Sequence, residues 1–147
     1  MRKNHALFVC FYLCFCLIVT AVYGKDPYVR YPAVNSDGSL IAFSYQGDIW
    51  TVPVKGGRAY RLTIHEAYES HPIFSPDGSK IAFISNRFGN NDLFTIDTSG
   101  SLPKRLTYHS ASDTLSDWTA NDQLLFSSVR NYQQVEWDSE IHSVGIN

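Results

Sequence analysis

One passage of this chain is written twice and then a third time with errors. From Tyr31 it reads Y-P-A-V-N-S-D-G-S-L-I-A-F-S, and from His71 it reads H-P-I-F-S-P-D-G-S-K-I-A-F-I-S. Pro32 and Pro72, Asp37 and Asp77, Gly38 and Gly78, Ala42 and Ala82, and Phe43 and Phe83 are each 40 positions apart. A looser copy runs from Asp117 to Ser127. Self-similarity at a period of about 20–50 residues marks a repeat architecture, in which each unit buries its apolar faces against its neighbours.

Each copy holds four short strand signals separated by turns. They fall at 31–34, 40–45, 48–52 and 59–62 in the first copy, and at 72–74, 80–85, 92–96 and 104–106 in the second. The corners Ser36-Asp37-Gly38-Ser39 and Ser75-Pro76-Asp77-Gly78 carry turn chemistry: Asp bonds its own backbone and Gly accepts a positive φ. In the third copy Asn121-Asp122 stands at this corner with one residue deleted, and both types tolerate the left-handed region. Four antiparallel strands per unit at this period predict an all-β chain of propeller blades. Ile41-Ala42-Phe43 and Ile81-Ala82-Phe83 read as middle strands buried on both faces, with alanine where blades converge.

The blades are expected at 27–66, 67–110 and 111–147, the last lacking its fourth strand; residues 139–144 fill its third-strand slot. That makes about 2.75 blades, whereas propellers close with about 4–8. The expectation is therefore an incomplete propeller whose remaining blades or downstream domains belong to a longer parent.

All three cysteines, Cys10, Cys14 and Cys16, lie in the first 24 residues, so the repeats offer neither disulfide nor thiolate metal site. The basic start Arg2-Lys3, the apolar run Ala6 to Tyr23 and the small Gly24 predict a signal peptide over 1–24. The run is 18 residues long, at the lower limit for a spanning helix, so an uncleaved anchor is the alternative. Either way the chain is expected to be exported to a periplasmic or extracellular location, meeting a membrane only through its leader. Past residue 24 there are 10 basic and 14 acidic residues, with no basic stripe that would suit nucleic acid.

The ordered set S-P-D-G, K-I-A-F, N-D-L-F-T-I-D and K-R-L-T resembles the TolB-like family of WD-type β-propeller repeats, and the resemblance covers Tyr31 to Val144. Such blades occur in the Tol-Pal translocation protein, in tricorn-like serine peptidases, in prolyl-oligopeptidase relatives and in oligogalacturonate lyases. The early first strand, with G-D-I-W-T-V-P-V and G-G-R-A following, is most similar to the N-terminal propeller of an exported tricorn-like peptidase. What the resemblance implies is a module that guides or recognises peptides, with catalytic groups in later domains. The alternative is a TolB-like propeller that binds envelope proteins. No position matches a catalytic motif of the family, so whether the parent is an enzyme stays open and no catalytic residue is assigned.

The residues themselves agree. There is no G-x-S-x-G elbow, phosphate loop, H-E-x-x-H or calcium loop. His65 and His109 recur in L-T-x-H at the blade-to-blade connection, too far apart on successive blades for ligands that must converge at about 2.0–2.1 Å. His71 takes the slot of Tyr31, and His142 that of Trp50 and Phe94. Asp48, Asp92 and Glu140 open each third strand, where a carboxylate can accept turn N–H groups. Trp118 matches Phe74 as a packing residue. No cofactor or metal site is expected. The candidate contact with a peptide or protein ligand is the insertion 130–138, with Tyr132, Gln133 and Trp137, because insertions in repeats map to loops on one face.

Overall fold

The computed structural model describes residues 28–130 and 139–146, and every regular element among them is a strand. The leader and the insertion residues Tyr132, Gln133 and Trp137 lie outside the described residues. Blade one is β1 (Arg30–Val34), β2 (Leu40–Tyr45), β3 (Asp48–Pro53) and β4 (Tyr60–Arg61). Blade two is β5 (Glu69–Phe74), β6 (Lys80–Ser85), β7 (Asp92–Asp97) and β8 (Lys104–Arg105). The third sheet holds β9 (Asp113–Trp118), β10 (Gln123–Ser128) and β11 (Glu140–Gly145). Each sheet follows chain order and is antiparallel throughout. The described residues are thus all-β, an unclosed set of propeller blades.

The hairpin corners follow from their residues. Gly38 and Gly78 have φ of 72° and 71°, and Asp122 stands at the same corner with φ of 56°. The N–H of Ser39 bonds Asp37 Oδ1 at 2.8 Å, and that of Ser79 bonds Asp77 Oδ1 at 3.0 Å. These side chains hold the turn so that the following strand leaves in register.

Alternation of side chains along the middle strands of blade two builds two cores. Ile81 and Phe83 of β6 pack with Phe94 and Ile96 of β7 against Ala42 and Ile49 of blade one. Ala82 and Ile84 pack with Leu93 and Leu106 against Leu115, Trp118, Leu124 and Phe126 of the third sheet. Phe83 stacks on Phe94 at 5.7 Å between ring centroids, and Phe126 on His142 at 5.4 Å. His142 pairs with Phe126 as Trp50 does with Phe43 and Phe94 with Phe83.

Most strands differ from the sequence reading by one residue at a limit, and β5 by three. β5 starts at Glu69 rather than Pro72, because Glu69 and Ser70 are buried on folding although they read as polar connector. β4 covers only Tyr60–Arg61 of the expected 59–62. The N–H groups of both Leu62 and Thr63 point at the Ile49 carbonyl (2.8 and 3.3 Å), which turns the chain out of the ladder. The inner strands β1 and β5 are also interrupted, between Arg30 and Ala33 and between Ser70 and Ile73. Pro32 and Pro72 sit in these gaps; a proline cannot donate to the ladder and belongs at such bulges.

Candidate functional site

One end of the sheets carries the β1–β2 corners. The other carries the second turns, Gln46-Gly47 and 86–91, and the blade-to-blade connections. Backbone bonds tie these together: Glu69 N–H donates to the Gly47 carbonyl and Asp113 N–H to the Asn91 carbonyl, both at 2.8 Å. β10 ends and β11 begins at this same end.

A set of contacts recurs here in blades one and two. Asp48 and Asp92 open β3 and β7 and are buried. Arg61 Nη2 reaches Asp48 Oδ2 at 2.5 Å, and Arg105 Nη2 reaches Asp92 Oδ2 at 2.7 Å. Each arginine also donates from Nε to the carbonyl two residues on, Thr63 (3.0 Å) and Thr107 (2.7 Å). The hydroxyls of Thr63 and Thr107 accept the N–H of Ile49 and Leu93, at 2.8 and 2.9 Å. In the connection beyond, His65 Nδ1 accepts the Ala67 N–H (2.9 Å) and His109 Nδ1 the Ala111 N–H (3.0 Å). The neutral imidazoles therefore carry their proton on Nε2. The repeated R-L-T-x-H is a local brace that shapes the connection.

A second ion pair recurs in blade two and the third sheet. Arg87 Nη2 lies 2.5 Å from buried Glu69 Oε1, and Arg130 Nη2 lies 2.5 Å from buried Asp113 Oδ2. Burial pushes the Asp92 carboxyl above the usual range; Arg105 pulls the other way, Asp113 adds repulsion and Arg130 offsets it. Although Arg105 is close, neither Asp92 oxygen has a well-aligned hydrogen bond. Such pairs fix geometry at a desolvation cost rather than adding much stability.

Blade one lacks the second pair. Val29 and Gly47 hold the positions of Glu69 and Arg87, and an open cleft of about 630 Å³ lies beside them, lined by Tyr28, Arg30, Ser44, Tyr45, His65 and Tyr68 among others.

The sequence-predicted residues divide accordingly. Asp37, Gly38, Asp77, Gly78, Asn121 and Asp122 all sit at the opposite end, away from the cleft. Asp48 accepts one connector N–H, that of His65 at 3.2 Å, but its main partner is an arginine rather than a turn amide. Glu140 opens β11 in the same register, opposite Ser128, and is half exposed. Among the described residues no three His, Cys, Asp or Glu side chains gather to hold a metal ion. The arginines were missed, although a signal exists: acid and arginine stand 13 apart in both copies, Asp48 to Arg61 and Asp92 to Arg105.

Comparison with known proteins places this arrangement. The chain is 36% identical over 103 residues to tricorn protease homolog 1 of Streptomyces coelicolor, covering 69% of this chain and 10% of that protein. It is 27% identical over 125 residues to a Sulfurisphaera tokodaii protein described as a tricorn-like protease N-terminal subunit, covering 82% and 62%. The chain therefore spans only part of the relatives it matches. In structure it is similar to a protein described as TolB from Agrobacterium tumefaciens, with TM-score 0.68 and 22% identity, covering 85% of this chain and 47% of that one. Residues 26–147 match the tricorn protease N-terminal β-propeller domain, and the chain belongs to that family.

Proposed function

We propose that this chain is a non-catalytic, exported propeller portion that recognises peptide or protein ligands for a tricorn-like serine peptidase. Proteolysis belongs to other parts of the parent. The observation that carries the reading is the family match across residues 26–147. The relative described as a tricorn-like protease N-terminal subunit supports reading this chain as the N-terminal propeller portion of such a protease. The site chemistry agrees, since the buried carboxylates and arginines of the loop-bearing end serve one another as braces. Residues 1–24 act as the leader, and the unit that follows takes in the blades at 27–66 and 67–110 and the partial blade at 111–147.

The test uses the full chain. Photo-crosslinking peptides should be captured by the purified protein, fluorogenic peptides should remain uncut, and the exported form should begin at Lys25. Hydrolysis by the purified chain, or accumulation in the cytoplasm with an intact leader, would refute the reading. Recovery from the membrane with the leader retained would favour the anchored form.

A further inference from the structure

We infer that the cleft formed by the start of β1, the end of β2 and the connector between blades one and two binds a carboxylate of a peptide ligand. The inference rests on the peptide-recognition reading above and adds the site and the chemical group.

Arg30 and Ser44 are cross-strand partners on β1 and β2, a relation that brings their Cβ atoms within about 4.5–5.5 Å on one face of the sheet. Both line the cleft. Ser44 is 3% exposed, yet its hydroxyl has no hydrogen-bond partner. A buried hydroxyl left unpaired costs free energy, and a ligand acceptor would relieve that cost. Among the described residues Arg30 has no carboxylate partner; its guanidinium lies over the Tyr28 ring, 4.4 Å from the centroid. A guanidinium beside a hydroxyl donor suits the two oxygens of a carboxylate. His65 borders the same space with Nδ1 already occupied by Ala67 N–H, so its Nε2–H can donate as well.

The pair is particular to blade one. Its equivalents in blade two are Ser70 and Ile84, partners in β5 and β6 and only 6% and 4% exposed, with Ile84 in the core shared with the third sheet. In blade two both members of the pair are buried and one is apolar; in blade one Ser44 is buried but polar, and its partner Arg30 is exposed. Tyr28 and Tyr68, at equivalent positions 40 apart, are 72% and 46% exposed and border the cleft. They offer aromatic walls for the remainder of a peptide. Glu66 also borders the cleft but is solvent-exposed, where screening weakens its effect on an incoming anion.

The experiment titrates the full chain with three hexapeptides of otherwise identical sequence: one with a free C-terminal carboxylate, one amidated without acidic residues, and one amidated with an internal Asp. At least one carboxylate-bearing peptide should bind about tenfold or more tightly than the amidated neutral one, the scale of a charge-assisted hydrogen bond. Which of the two binds identifies the source of the carboxylate. Arg30→Ser and Ser44→Ile, copied from blade two, should each erase that preference while leaving the melting temperature unchanged or raised. Arg58→Ser, which removes the same charge elsewhere, should leave it intact. Equal binding of all three peptides, or an undiminished preference in both variants, would overturn this inference while leaving peptide recognition standing. Failure of every peptide to bind would overturn both.

Discussion

Tyr31 and His71 stack face to face, with ring centroids 3.7 Å apart and an interplanar angle of 26°. They occupy equivalent positions on the inner strands of successive blades, and both have positive φ, 52° and 54°. Non-glycine residues in this region are strained and persist only where their surroundings hold them. Here the stack and the adjacent prolines supply that hold. A double-mutant cycle of Tyr31→Ala and His71→Ala should give a coupling of about 0.5–1.5 kcal/mol, read by denaturant unfolding. Additive effects would show that the rings meet without contributing.

The same histidine gives the fold a pH dependence. Burial lowers the His71 pKa below the ordinary imidazole value. A base depressed in the folded state adds stability above its unfolded pKa and loses it as pH falls through the folded value. Stability should therefore decline below about pH 6.5, and His71→Phe should flatten that limb. An unchanged profile in the variant would assign the titration elsewhere.

At the corners, the repeats supply their own control. Gly78→Val places a β-branched residue at φ of 71° and should cost about 1–3 kcal/mol. The space is open enough, since an added Cβ would meet Asn35 only at 3.9 Å, so the cost is one of backbone strain. Asp122→Gly at the equivalent corner should instead stabilise by up to about 1 kcal/mol. Both are measured by thermal or denaturant unfolding, and equal stability of Gly78→Val and wild type would refute the turn assignment.

Arg105 and Arg61 are equivalent in sequence but not in consequence. Arg105 is 19% exposed over an Asp92 carboxylate that is wholly buried, whereas Arg61 is 39% exposed. Arg105→Ala leaves an uncompensated buried charge and should cost about 3–5 kcal/mol. Arg61→Ala should cost less, because water can reach Asp48 once the side chain is gone. Equal losses in chemical denaturation would show that burial does not set the difference.

On acidification two aspartates act in opposite senses. The Ser75 hydroxyl, then the Ser79 N–H and hydroxyl, hold Asp77 down to about 2. Its contribution is complete above the unfolded value and fades as pH falls toward that figure. Asp92 is raised by burial, so its ionisation opposes folding as pH rises through its folded value. The stability gap between wild type and Asp77→Asn should narrow from pH 5 to about pH 2. A gap that stays constant would refute the corner's role in the titration.

The period of 40 made the sheets legible, because Pro32, Asp37, Gly38, Ala42 and Phe43 all recur with it. The alternation at Ile81-Ala82-Phe83 likewise announced a strand buried on both faces. The cleft was not legible. It depends on Ser44, Val29 and Gly47 standing where blade two has Ile84, Glu69 and Arg87, differences that fall at the edges of the matching runs. The ion pairs were half visible: acids and arginines both recur, but only the antiparallel neighbours β3–β4 and β7–β8 bring Arg61 toward Asp48 and Arg105 toward Asp92. The left-handed backbone at Tyr31 and His71 had no local signature, since an aromatic before proline reads as ordinary extended chain.

Ile81 and Ala82 are consecutive in the chain yet belong to different cores, one shared with blade one and the other with the third sheet. Enlarging the first side chain would press on one seam, and enlarging the second on the other. Neighbouring codons thus answer to separate structural constituencies, and a change at either can be compensated only from across its own seam.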